Sequence, residues 1–280
     1  MGTSRGQKRQ GTPVDNRPGI WVGYGKLVKL YRERLGMTQQ ELSDALGYSV
    51  ELVASVERGR RPAKRAFTEG AEATLNAGGA LAVLQDDVDL AKLPAFFQDF
   101  AQIETEAVSR FSSDPLLVPG LLQTEEYAKA VVSAHCPPLS EEVIDQRVEA
   151  RLNRQKLLTR TPLVETCFVI GEQALTNTVG TADVMKNQLH HLLNQGALRN
   201  VSIQVMPADR GIHPGLDGSM VILETLEHRR VGYIESQEVG FVITNPTTVS
   251  AFGLRHGKLR MQALNIEQSA RLIKRLAGEA

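Results

Sequence analysis

Cysteine is nearly missing from this chain: its 280 residues hold two, Cys136 and Cys167. They lie too far apart for a CxxC metal or redox motif, and the cytoplasmic compartment expected below would keep them reduced, so both are expected to be ordinary core or loop thiols. Aromatic residues are sparse as well, at 5%. Long apolar runs are absent, none approaching the ~20 residues of a bilayer-crossing helix. The polar opening MGTSRGQKRQGTPVDNRPG also lacks the apolar centre of a secretory signal. A cytoplasmic protein is expected. The catalytic signatures GxSxG, HExxH, GxxxxGK[ST] and a strand-linked GxGxxG do not occur. His190 and His191 are adjacent on a predicted helix and point to different faces, so they cannot chelate one metal as an i, i+4 pair would. No enzyme activity, no metal and no cofactor are expected.

Net charge is absent too, but only by cancellation. Residues 1–68 hold 13 Lys/Arg against 6 Asp/Glu, a net of +7, and residues 69–280 hold 19 against 26, a net of −7. A basic end joined to an acidic body implies a polyanion-binding module followed by a remainder that does not itself cling to nucleic acid. The hydrophobic share of 42% and the charged share of 23% are those of a folded globular chain. The length favours a small domain plus a larger one.

Residues 1–19 carry Arg5, Lys8, Arg9 and Arg17 among Gly, Ser, Thr, Gln and Pro without periodicity, which predicts a disordered basic arm. Apolar residues at Leu27, Leu30, Tyr31 and Leu35 then predict a helix that Gly36 stops. Thr38 with Glu41 three residues on is a capping box for a second helix, reaching about Leu46. Gly47 suits a left-handed C-cap, and Ser49 can cap a third helix ending at Gly59. Helical pattern follows in 65–84, broken by NAGGA, then in 89–112 and 121–134, and from Ser140 to about Thr159. VETCFVI and VSIQVMP read as strands flanking a helix at 181–195. SMVILET, RRVGYIES and VGFVIT read as an antiparallel meander before two closing helices, 246–262 and 266–277.

In a helix-turn-helix the second helix lies in the major groove while the first braces it. Leu42, Ala45, Leu46, Val53 and Val56 are expected inside, with Ser49, Val50, Glu51, Ala54, Ser55 and Arg58 outside. The run R…LGMTQQELSDALGYS…VASVERGRRP closely resembles the Cro/cI-type helix-turn-helix of the Xre family. The resemblance implies a structural pair between Glu57 and Arg32. It places DNA contacts at Thr38, Gln39, Ser49, Val50, Glu51 and Ser55. Members commonly carry Gln, Ser, Arg or Thr where Val50 and Glu51 stand. Valine can pack on a thymine methyl and glutamate can accept from cytosine N4; equally, Glu51 can simply favour the helix N-terminus, with specificity coming from DNA shape. Arg58, Arg60, Arg61, Lys64 and Arg65 follow where a phosphate strand would pass.

Further on, GRRPAKRAFTEGAEATLNAGGAL, LPAFFQDFAQIETEAVSRF, VPGLLQTEEYAKAV, ARLNRQKLLTR and HPGLDGSMVILE together resemble WhiJ-like actinobacterial regulators with a long C-terminal domain. That resemblance implies a small companion protein encoded nearby, in an antitoxin-like or developmental pair. In DRGIHPGLDGSM, His213 and Asp217 can present a polar pair to a ligand or partner, although a packed turn is the commoner use of such a loop. The expected fold is thus multidomain. An all-α Cro/cI-type helix-turn-helix domain (20–88) precedes an α+β domain with a mainly antiparallel sheet (89–280) that senses, binds a partner or dimerises. The expected function is a DNA-binding transcriptional regulator, acting on double-stranded DNA as a homodimer. The rival is an enzyme-like or purely protein-binding C-terminal module with vestigial DNA binding.

Overall fold

The structure is a computed structural model that describes residues 17–278, and the chain divides into two compact units between Ala91 and Lys92. The basic arm expected over 1–19 lies, up to residue 16, outside the described residues, and Gly19 already begins the first helix.

The first unit is all-helical: α1 (Gly19–Arg34), α2 (Gln39–Leu46), α3 (Val50–Glu57), α4 (Arg65–Thr74) and α5 (Gln85–Leu90). Its punctuation follows the side chains. Thr38 and Glu41 form the reciprocal capping box, Gly47 closes α2 at φ 70°, and the Ser49 hydroxyl accepts the Leu52 amide to open α3. The inner face of α1 is Trp21, Tyr24, Val28 and Arg32, while Leu30 and Leu35, two of the residues whose spacing predicted the helix, are 44% and 52% exposed. Trp21, Tyr24 and Val28 join Leu42, Val53, Val56, Phe67, Ala71, Leu75 and Leu81 in one apolar core. Two glycines let α1 approach the end of α3. A Cβ on Gly25 would stand 2.2 Å from the Val56 carbonyl oxygen, and one on Gly59, itself at φ 64°, 2.6 Å from the Val22 Cα.

The second unit comprises α6 (Ala95–Glu104), β1 (Ala107–Asp114), α7 (Glu125–Ser133), α8 (Glu141–Arg154), β2 (Glu165–Gly171), α9 (Glu172–Thr176), α10 (Ala182–Gln195), β3 (Val201–Met206), β4 (Met220–Thr225), β5 (Arg230–Ser236), β6 (Val239–Ile243), α11 (Pro246–Gln262) and α12 (Ile266–Leu276). Its six strands form one mixed sheet in the order β3-β2-β1-β4-β5-β6. The β1–β2 and β2–β3 pairs are parallel and the other three antiparallel, so the sheet is mainly antiparallel with a parallel βαβ half.

Side chains alternate across this sheet. Phe168, Ile170, Val221 and Leu223 join the core beneath α6, α10 and α12, whereas Val169, Met220 and Ile222 join Val249, Phe252 and Leu259 of α11 on the other face. One expectation fails clearly: the helix read over 89–112 is two short helices and the central strand β1. Residues 107–114 find ladder partners on both sides, β2 and β4, and that pairing overrides a weak local preference.

Candidate nucleic-acid interface

The third helix, α3, is held from behind by one buried carboxylate. Arg32 grips Glu57 through a two-pronged contact, Nε to Oε1 at 2.5 Å and Nη2 to Oε2 at 3.0 Å, and its Nη1 donates to the Met37 carbonyl at 2.7 Å. Arg32 and Glu57 are 7% and 6% exposed. The hydrogen bond to Glu57 raises the Arg32 pKa above its ordinary value. Gln39 completes the arrangement, its side-chain amide donating to Glu57 Oε2 at 2.6 Å. One carboxylate thus ties together α1, the start of α2 and the end of α3.

In consequence two of the expected DNA contacts are engaged within the domain. The Gln39 amide faces Glu57 rather than solvent. Thr38 directs its backbone amide and hydroxyl to Glu41 Oε2, at 2.7 and 2.8 Å. Those bonds hold Glu41 below the usual carboxylate range, the backbone amide contributing most. The Glu41 amide is taken by the Thr38 hydroxyl at 3.2 Å, so the helix-end donors left to a phosphate here are the amides of Gln39 and Gln40 at the start of α2.

On α3, Ser49 and Glu51 are exposed and Val50 and Ser55 half-buried. Ala54, expected outside, is buried at 7% exposure, while Ala45, expected inside, is exposed and Ser43 buried in its stead. The outward surface of α3 is therefore narrow: Ser49, Val50 and Glu51 at its tip, Ser55 one turn on. Beyond it the Arg60 amide bonds the Ser55 carbonyl at 2.9 Å, turning the chain so that Arg58, Arg60, Arg61 and Lys64 are all exposed next to the helix end. Arg65 differs, since it pairs with Asp86 at 2.7 Å and Asp89 at 3.5 Å.

In the second unit, His213 caps a 3₁₀ turn at Pro214–Asp217, its Nδ1 accepting the Gly215 amide at 3.2 Å. Asp217 is exposed at the end of that turn. The geometry is that of a closed turn, with the His213 ring directed at its own backbone. Cys167 is buried on β2 and Cys136 exposed.

A polar cluster that sequence reasoning missed lies on β1. Arg110, Ser112 and Asp114 occupy alternate positions and share one face of the sheet. Glu104 is buried and accepts from Arg110 Nε at 3.0 Å and from Arg154 Nε and Nη2 at 2.9 and 2.7 Å. Burial alone would raise its pKa, but the two guanidinium groups hold it below the usual range. Asp114, accepting from the Ser112 hydroxyl at 2.8 Å, is pushed up to about 6 by burial. The period-two spacing of Arg, Ser and Asp in SRFSSD was the available signal, hidden while the segment was read as helix. Among the described residues no group of three His, Cys, Asp or Glu side chains could hold a metal ion, and no helix is long and apolar enough to cross a membrane.

Comparison with known families places both units. Residues 24–84 match a helix-turn-helix domain, and residues 97–275 match a family described as Domain of unknown function (DUF5753). No curated protein and no solved structure matches the chain. The helix-turn-helix match runs from within α1 through α4 and takes in the whole of the braced surface just described. It supports an Xre-like, DNA-binding transcriptional regulator.

Proposed function

From a chain that belongs to the DUF5753 family and carries a helix-turn-helix domain ahead of that region, we propose a sequence-specific transcriptional regulator that reads double-stranded DNA as a homodimer through α3. Val50 packs on a thymine methyl and Glu51 accepts from a cytosine amine, with Ser49 and Ser55 beside them. Arg58, Arg60, Arg61 and Lys64 meet phosphates, which fixes position without reading sequence. Thr38 and Gln39 support the surface, Thr38 by capping α2 and Gln39 through Glu57. The larger unit acts by binding rather than by catalysis. It dimerises the protein and senses a ligand or holds a small companion protein encoded nearby, in an antitoxin-like pair of the WhiJ-like actinobacterial kind. The His213–Asp217 turn is a structural element of that unit.

The observation that carries this reading is the rigid seating of α3. Its far end is fixed by the buried Arg32–Glu57–Gln39 contact, its near end is capped by Ser49, and its tip, Ser55 and the cations after it face outward. The test is a gel shift of the full chain with the DNA upstream of its own gene. Retarded complex that persists under excess unrelated DNA supports the reading; equal competition by unrelated DNA overturns it.

A further inference from the structure

The two edges of the sheet are finished differently. Along β3, the segment after α11 covers the outer side: the Leu264 amide bonds the Val205 carbonyl, the Val205 amide bonds Ser269 Oγ, and the Gln204 side chain bonds the Leu264 carbonyl, each at 2.9 Å. At the other edge, β6 pairs with β5 alone, and among the described residues no hydrogen bond reaches its outer side.

The hairpin fixes which backbone groups face out. Ser236 pairs with Val239 across a two-residue turn, Gln237 and Glu238, both at positive φ (46° and 66°). In such a turn the flanking residues are the hydrogen-bonded pair, and the pattern alternates along the strand. Gly240 and Val242 therefore point N–H and C=O away from β5. β6 reads VGFVI, without charge, proline or bulge, the devices that normally blunt an edge. Val239 and Phe241 are 49% and 58% exposed on the same side of the strand.

We propose that β6 pairs antiparallel with β6 of a second copy, about a two-fold axis through Phe241, giving one continuous sheet across the dimer. This deepens, and rests on, the homodimer reading above. The strand is its own complement. Gly240 of each copy exchanges hydrogen bonds with Val242 of the other, and the two Phe241 residues face each other in a non-hydrogen-bonded pair, where side chains stand closest. Glu238, in the hairpin turn, is engaged by His135 of its own chain, which leaves the outer edge to the uncharged strand. Self-complementary pairing and the exposed apolar pair Val239 and Phe241 select a second copy of this chain as the occupant.

Sedimentation equilibrium on the full chain tests the proposal. The wild type is expected to be dimeric, and Phe241→Lys, which sets two cations on the axis, to weaken association at least about tenfold with an unchanged circular-dichroism melt. Independently of that variant, Phe241→Cys in a Cys136→Ser background is expected to form an intermolecular disulfide on oxidation. Opposed Cα atoms in such a pair lie ~4.5 Å apart, within disulfide reach. Ile212→Cys in the same background, at a site 93% exposed, should stay uncross-linked. A monomeric wild type overturns the homodimer reading and this interface with it. A Phe241→Lys chain that dimerises like wild type, or a Phe241→Cys chain that cross-links no better than Ile212→Cys, overturns the β6 interface and leaves the homodimer reading standing.

Discussion

Glu57 is a charge that the first unit buries and then uses three ways, through Arg32 and Gln39 directly and through the position of α3 indirectly. Removing its main cation leaves a buried carboxylate with one amide, and breaking such a pair costs about 3–5 kcal/mol. Arg32→Ala is therefore expected to lower the melting temperature of the first unit while leaving its preferred DNA sequence unchanged. Thermal melts and binding-site selection check the two halves, and a stable variant with altered preference would contradict the assignment. Asp114 poses the opposite problem in the second unit. Its pKa is raised from 3.8 unfolded to about 6 folded, so the stability linked to its proton is fully present below pH 3.8 and lost as pH rises through 6. Asp114→Asn keeps an acceptor for Ser112 and has no charge to bury. It should melt like wild type near pH 4 and be more stable at pH 7.5, by about 3 kcal/mol at most, at ~1.36 kcal/mol per pKa unit. An equal gap at both values would contradict the account.

At the scale of elements, phosphate contact and base contact are carried by adjacent stretches and can be separated. Arg60→Ala or Lys64→Ala should weaken binding to all sequences alike and reduce the salt slope by about one. Val50→Ala and Glu51→Ala should change which base is preferred, by about 1–3 kcal/mol per lost contact. Titrations at several salt concentrations against a panel of sites distinguish them, and unchanged preference in both α3 variants would favour readout of DNA shape. Those elements were legible because their ends are chemically marked: Thr38 with Glu41, Gly47, Ser49 and Ser140 all sit where the caps form. The strands from β2 onward were legible from β-branched runs. β1 was not, because Arg110, Ser112 and Asp114 put polar groups on a covered face, where an apolar alternation would have announced a strand. Nor was the engagement of Gln39 legible, since its partner lies 18 residues away and only the packed domain brings them together.

Across the whole molecule, the division of charge noted first in the sequence does not coincide with the division of the structure. The excess of 13 Lys/Arg over 6 Asp/Glu lies within residues 1–68, while the unit that ends at Ala91 also takes in Glu69, Glu72, Asp86, Asp87 and Asp89, so the basic surface belongs to the helix-turn-helix stretch and not to the whole unit. The order of domains and the class of the larger unit, α+β with a mainly antiparallel sheet, could be read from element order; the helices on both of its faces and the open β6 edge could not, because packing and strand order in a sheet are tertiary facts. One small helix-turn-helix buries only about 600–1,000 Å² on DNA, so the account needs two of them joined. The most direct measurement of the central claim is a footprint of the full chain on the DNA upstream of its own gene, repeated with Glu51→Ala under excess unrelated DNA. The account predicts a protected, roughly palindromic site with half-sites about one helical turn apart, and an altered base preference in the variant. No protected site at any concentration that survives the competitor would contradict it.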